Sequence, residues 1–313
     1  MLSSDFDWKT WCGSSRPVKP VVLGIRGLVL EPDERALFLE HNPLGFILFA
    51  RNISDRTQLV NLIKDLKSFM GDRNVMVLVD QEGGRVQRLV PPLMDQFPPM
   101  DHVGNENRAY NIGFSIGRGL ASYGFNVDCA PVLDLLFEGA SSVIGNRSFG
   151  SDPEKVSLLG AAYARGLAHA GVMPVVKHIP GHGRSMQDTH LDMARVSASI
   201  GELDKTDFVP FRYIAQSGID CMAMMSHVIY SELDAEHPAT LSASVRRVIR
   251  HEIGFLGPII SDDICMKGLQ KFHSDFSTIA PAMLESAVDI VLHCSADIKE
   301  MESVLASVQV SIC

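Results

Sequence analysis

The sequence predicts a single-domain α/β fold of the (β/α)8, or TIM-barrel, class. Apolar strand-like runs alternate with helical patterns eight times, no Pro/Ser-rich linker or low-complexity run divides them, and 313 residues suffice for one such barrel. A doubly wound sheet is the fold-level rival. It usually carries a Gly-rich phosphate turn after the first strand, and Gly24-Ile25-Arg26-Gly27-Leu28 does not extend to one.

The first strand is read at 21–25, followed by a helix over 32–40 with Asp33 and Glu34 in its first turn. Residues 45–49 form the second strand, and Ser54 is expected to cap a helix whose Leu59, Leu62, Ile63, Leu66 and Phe69 recur at helical spacing. The third strand, 75–79, ends on Asp80; a helix over 108–122 precedes the fourth strand at 125–131. Asp152-Pro153-Glu154 starts the next helix with proline at its first position, and 173–176 is the fifth strand. One helix over 202–216 leads to the sixth strand at 221–225. A helix capped by Ser242 leads to the seventh at 258–260. A helix near 277–286, the eighth strand at 289–293 and a helix over 298–308 complete the alternation.

Composition narrows the function. With 46% hydrophobic and 21% charged residues the chain has a globular profile, and a net charge of −9 without clustered Lys and Arg argues against nucleic acid as a partner. The N-terminus has acids where a signal peptide would have bases, and no apolar stretch reaches the length of a bilayer span. Cytoplasmic location without membrane association is therefore expected. The six cysteines are scattered without a Cys-x-x-Cys pair and read as reduced, mostly buried thiols.

Polar chemistry concentrates where strands end. In a parallel barrel the C-terminal strand ends share one face, where loops build the active site. Asp80 follows strand three, Asp134 lies just past strand four, Lys177 and His178 end strand five, His227 ends strand six, and Asp262 and Asp263 end strand seven. Each has a bland alternative: Asp80 or Asp134 as a loop or capping residue, His227 as a hydrogen-bonded wall residue. Arg85, Arg88 and Arg147 offer planar forks for sugar hydroxyls or carboxylates, or salt bridges to neighbouring acids.

The loop after strand five carries the densest pattern, Lys177-His178-Ile179-Pro180-Gly181-His182-Gly183 followed by Asp188-Thr189-His190. Gly181 and Gly183 allow positive φ and Pro180 fixes a turn position, so a compact bend is expected. Asp188 and His190 sit close enough for the carboxylate to orient the imidazole and raise its pKa, which makes an acid/base dyad. A solvated loop, or metal binding by His178, His182 and His190, are the alternatives. Lys177 disfavours a metal, since a protonated amine repels one and offers no lone pair.

Together, Asp80 to Arg88, the Gly145-Asn146-Arg147-Ser148-Phe149-Gly150 stretch, Lys177 to Gly183 with Asp188-Thr189-His190, Met225-Ser226-His227, and Ser261-Asp262-Asp263-Ile264 resemble the signature blocks of family-3 glycoside hydrolases. They appear in the family's order, and the branch they look most like is the single-domain β-N-acetylglucosaminidases of the NagZ type. The resemblance implies one catalytic barrel domain over 1–313 with a short extension at 1–18, exo-acting removal of terminal β-linked N-acetylglucosamine, and anhydro-muropeptides of peptidoglycan recycling as natural substrate. It implies a retaining mechanism with Asp262 as nucleophile and His190, oriented by Asp188, as acid/base. Asp80, Arg88, Arg147, Lys177, His178 and His227 would hold the sugar, with no metal or organic cofactor. Chemistry alone does not choose Asp262 over Asp263, because adjacent strand residues point to opposite faces. Cys265 stands where serine is common, and Leu135-Leu136-Phe137 is more apolar than the pattern. Phosphorolysis by the same residues, substrate-assisted hydrolysis through the acetamido group, and a sugar-binding protein without turnover are the rival functions. Oligomeric state is not legible.

Overall fold

Eight short apolar runs, each covered on both faces, pair in parallel and close on themselves. They are β1 (Lys19–Gly24), β2 (Pro43–Leu48), β3 (Met76–Val79), β4 (Val127–Asp128), β5 (Met173–Ile179), β6 (Met222–Met225), β7 (Ile259–Asp263) and β8 (Ile290–His293). Each pairs with its sequence neighbour, and β8 returns to β1 through Val21 opposite Val291 and Leu23 opposite His293. The computed structural model describes residues 7–71, 73–185, 193–309 and 311–312. Asp188 and His190 lie outside them.

Strand alternation divides the core in two. Val22, Ile47, Leu78, Val175, Met224 and Ile260 fill the barrel, whereas Val21, Leu23, Phe46, Val77, Val176 and Ile259 face the surrounding helices. Those helices are α2 (Pro32–His41), α3 (Arg56–Phe69), α4 (Glu106–Tyr123), α5 (Pro153–His169), α6 (Ile200–Lys205), α7 (Phe208–Gln216), α8 (Ala243–Val248), α9 (Lys267–Phe272), α10 (Phe276–Ser286) and α11 (Ile298–Ser307). Before the barrel, α1 (Trp8–Cys12) places Trp8 and Cys12 in the interior cluster. Asn74, just ahead of β3, donates its backbone N–H to the Cys12 carbonyl, so this extension covers the N-terminal end of the barrel.

Several expectations are corrected. The cap of α3 is Asp55, whose carboxylate accepts the Gln58 N–H at 3.0 Å, while Ser54 stands one residue outside. The single helix expected over 202–216 is α6 and α7, because Pro210 has no N–H to give the Thr206 carbonyl. The helix capped by Ser242 ends in a wider π turn, Ile249–Ile253. Strand four is shortened by Pro131, and pairing resumes at Val132 opposite Lys177. Strand five extends to Ile179, so Lys177 and His178 sit on the strand itself. Cys129, Cys221, Cys265 and Cys294 are free thiols, but Cys12 is disulfide-bonded. No helix among the described residues is long and apolar enough to cross a membrane.

Candidate active site

A cavity of about 660 Å³ opens at the C-terminal ends of the strands. Asp80, Arg88, Arg147, Lys177, His178 and Asp262 all border it, together with Glu82 and Asp263. Topology alone explains the meeting of residues so distant in sequence.

Its wall is an alternating set of charges. Lys177, 2% exposed at its side chain, gives Nζ to Asp80 Oδ1 at 3.0 Å and to Glu82 Oε1 at 2.7 Å. Asp80 Oδ2 accepts from Arg88 at 3.1 Å. Arg147 grips Glu82 with two parallel bonds, Nε to Oε2 at 2.8 Å and an Nη to Oε1 at 2.7 Å, and spends another N–H on the Val143 carbonyl. Burial would raise the Glu82 carboxyl, but Lys177 and Arg147 bring it down to about 2. Asp80 is likewise held far below the usual carboxylate range, burial being outweighed by Lys177 and Arg88. For Lys177 the same balance runs the other way: burial pulls it down, and Asp80 and Glu82 hold it above an ordinary lysine. Asp80, Glu82 and Lys177 are all ionised at neutral pH.

Asp134 organises the next part. Its carboxylate is fully buried and lies 2.5 Å from His178 Nδ1, while also accepting the backbone N–H groups of His178 and His182. With Asp134 on Nδ1, the other edge of the His178 ring is directed away from that carboxylate. His182 packs edge-on to His178, 5.6 Å between ring centres. Burial and His178 bring His182 down to about 4, so it is uncharged at neutral pH.

Residues 181–185, ahead of Asp188 and His190 in sequence, are held at several points. Tyr230 donates its hydroxyl to the Gly181 carbonyl at 2.7 Å, Arg184 bonds Asp207 at 2.7 Å, and Ser185 O accepts the Ser141 N–H at 2.9 Å. Phe137, part of the apolar stretch, lies under the Arg184 guanidinium at 4.1 Å. Gly181 has φ of +134°, as expected, but Gly183 serves close approach instead: a Cβ there would stand 1.9 Å from the Leu135 carbonyl oxygen. Backbone cannot yield as a side chain can, so Gly183→Ala is expected to cost about 1–3 kcal/mol, seen as a lowered Tm. An unchanged Tm would show that the loop relaxes freely. On the far side, Ala194–Val196 pairs in parallel with Val228–Tyr230.

At β7 both aspartates border the cavity, contrary to strict alternation, because register with β8 shifts between Ile260 and Asp263. They differ in their bonds. Asp263 Oδ1 accepts the backbone N–H groups of Cys265 and Cys294, each at 3.0 Å, which ties that carboxylate to the two loops. Asp262 Oδ1 accepts a local bond, from the Asp263 N–H at 2.8 Å.

His227 is not a cavity residue. It is 1% exposed, its Nδ1 meets Thr240 Oγ1 at 2.8 Å and its Nε2 meets the Asp263 carbonyl at 3.1 Å, so it braces β7 from behind. Burial lowers its pKa, partly opposed by Asp262. Arg85 bonds the carbonyls of Ser142, Val143 and Ile144 rather than an acid. Sequence reasoning gave no role to Glu82, the counter-ion of both Lys177 and Arg147. Its signal was its spacing of two from Asp80 on an extended run, which puts both carboxylates on one side.

A barrel whose C-terminal mouth gathers a carboxylate pair, a histidine loop and a wall of ion-paired hydrogen-bonding groups is of the class that works on polar, hydroxyl-rich substrates. Residues 26–312 match the glycosyl hydrolase family 3 N terminal domain, and the chain belongs to that family. It is a glycoside hydrolase and acts on sugar substrates. A beta-hexosaminidase of Tolumonas auensis is 37% identical over 282 residues, 88% of this chain and 83% of that one. NagZ of Neisseria gonorrhoeae, solved in complex with N-trifluoroacetyl-D-glucosamine, superposes with a TM-score of 0.83 at 31% identity, covering 93% of this chain and 89% of that one. The family 3 β-N-acetylglucosaminidase of Paenibacillus sp. FPU-7 gives a TM-score of 0.87 at 32% identity over 92% of this chain, which spans 56% of that longer protein.

Proposed function

We propose that the chain is a retaining, exo-acting β-N-acetylglucosaminidase built on one catalytic barrel domain. What supports this most is the place of Asp262 on the cavity wall, with Asp80, Arg88, Lys177 and His178 beside it. In the proposed cycle the Asp262 carboxylate attacks the anomeric carbon while His190 gives its proton to the departing glycosidic oxygen. A water then loses a proton to His190 and opens the glycosyl ester, releasing the sugar with retained configuration. Asp188 orients the His190 ring and stabilises its charged form. Asp80, Arg88, Lys177 and His178 receive the sugar hydroxyls and acetamido group, and Arg147 acts on them through Glu82. Of the site residues inferred from sequence, His227 is assigned a positioning role instead of sugar contact. The natural substrate in this reading is a cytoplasmic anhydro-muropeptide.

A dinitrophenyl β-N-acetylglucosaminide tests the reading. Wild type should hydrolyse it without phosphate. His190→Ala should release one burst of dinitrophenol and then stall, because the leaving group needs no acid but the glycosyl ester still needs a base; turnover falls by about 10²–10⁴. Added azide, which attacks without a general base, should restore turnover as the β-glycosyl azide. Strict dependence on phosphate would replace hydrolysis by phosphorolysis. A fast His190→Ala without azide would remove His190 from the mechanism.

A further inference from the structure

Beside the cavity, at the outer edge of β7 and β8, three side chains meet that the glycosidase chemistry does not use. A thiol sulfur from Cys265, a ring nitrogen of His293 and a carboxylate oxygen of Glu300 all lie within 4.8 Å of one another. Cys265 is two residues past β7, His293 is the last residue of β8, and Glu300 is in the first turn of α11.

His293 is fully buried, and its Nδ1 has no hydrogen-bond partner among the described residues. Its Nε2 lies 3.2 Å from Glu300 Oε2, an ion-pair distance. A buried imidazole nitrogen left without a partner is costly, and native structures usually supply one. Phe276 stands edge-on to the ring, centres 5.2 Å apart, and closes one side of it. Ser295 Oγ bonds Glu300 Oε2 at 2.5 Å, holding the carboxylate in place as an outer-shell donor would. The neighbouring charges that act on His293 are those of Asp263 and Glu300, both negative.

We propose that Cys265, His293 and Glu300 form a zinc(II) site of one thiolate, one imidazole and one carboxylate, with a water as fourth ligand. One soft, one borderline and one hard donor match the ligands zinc accepts, and three protein ligands plus water is a common zinc arrangement. Ligand atoms of a tetrahedral zinc stand about 3.5 Å apart, so the trio needs only modest contraction. Binding replaces the Cys265 thiol proton, which leaves to solvent, and a dication is favoured where Asp263 and Glu300 already set a negative field. The metal would cross-link the loop that follows Asp262 and Asp263 to β8 and α11. Its role is to fix the edge of the active-site mouth.

The full chain, stripped with a chelator and reloaded with zinc chloride, is expected to keep about one zinc per chain after desalting that Cys265→Ser does not keep. Glu300→Gln, at a half-exposed position that should fold normally, is expected to weaken zinc at least about tenfold against a chromophoric chelator. Cobalt(II) in place of zinc should give a thiolate-to-cobalt absorption in wild type that Cys265→Ser lacks. Three results would overturn the proposal: no retained metal in wild type, cobalt retained without that absorption, or absorption that persists in Cys265→Ser. The last two would place the metal elsewhere, and the first would leave His293 beside Glu300 with no metal between them.

Discussion

Asp262→Ala is expected to lower kcat/KM for an aryl β-N-acetylglucosaminide by at least about 10⁴-fold while leaving the fold intact. The two halves of that expectation come from different observations. Asp262 borders the cavity at the end of β7, where the family's nucleophile falls by resemblance. Its neighbour Asp263 binds the amides of Cys265 and Cys294, bonds that hold loops together rather than meet a substrate. Asp263→Asn keeps an oxygen acceptor for both amides and should retain activity within about tenfold of wild type. Asp263→Ala leaves both amides without that acceptor and should lose roughly 1.5–3 kcal/mol of stability, read from urea denaturation. A slow fluorinated glycosyl substrate gives an independent readout, since peptide mapping should find the sugar on the peptide containing Asp262 and none in Asp262→Ala. If Asp263→Asn were inert and Asp262→Ala active, the two assignments would exchange.

The barrel was legible because its strands are buried on both faces and read as apolar runs whatever the surrounding helices do. Boundaries failed where one residue's backbone chemistry overrode the pattern. Pro131 truncated strand four, Pro210 split the helix after strand five, and strand five runs on through Lys177 and His178 to Ile179. The convergence of Asp80, Lys177 and Asp262 on one mouth followed from topology once parallel strands were assumed. What did not follow was who pairs with whom. Arg147 and Glu82 are 65 residues apart, and only the packed barrel brings them into a two-bond grip. Asp134 was visible as a polar residue past strand four, but its service to His178 and His182 depends on a fold of the loop that no spacing reveals. Asp262 and Asp263 were predicted to face apart, and the register shift after Ile260 lets both reach the cavity. The Cys12 disulfide went unread because scattered cysteines without a pair motif carry no connectivity.

Lys177→Met is expected to be the most destabilising single change at the site, by about 3–5 kcal/mol at pH 7. Methionine preserves the volume, so the loss arises from charge: Glu82 is buried and Asp80 largely so, and removing the cation between them leaves two carboxylates with only Arg88 and Arg147 to answer them. The sign of the pH dependence follows from the shifts. In wild type both carboxyls have folded-state values below their unfolded ones, Glu82 at about 2, so they stabilise the fold above roughly pH 4 and that stability is lost as pH falls toward 2. Lys177, held above its ordinary value, contributes stability that persists below roughly pH 10 and fades only as pH rises beyond it. In the variant at least one carboxyl takes a proton, its folded-state value now raised, and such a group loses stability as pH rises instead. The gap between wild type and Lys177→Met should therefore narrow as pH is lowered from 7 to about 3. Lys177→Met/Glu82→Gln, which removes one of the stranded charges, should recover part of the loss, since contacting groups are not additive. Urea midpoints at three pH values decide the matter. A gap that stays constant with pH would mean that Lys177 stabilises the barrel by packing, and the ion-paired wall would then serve sugar binding alone.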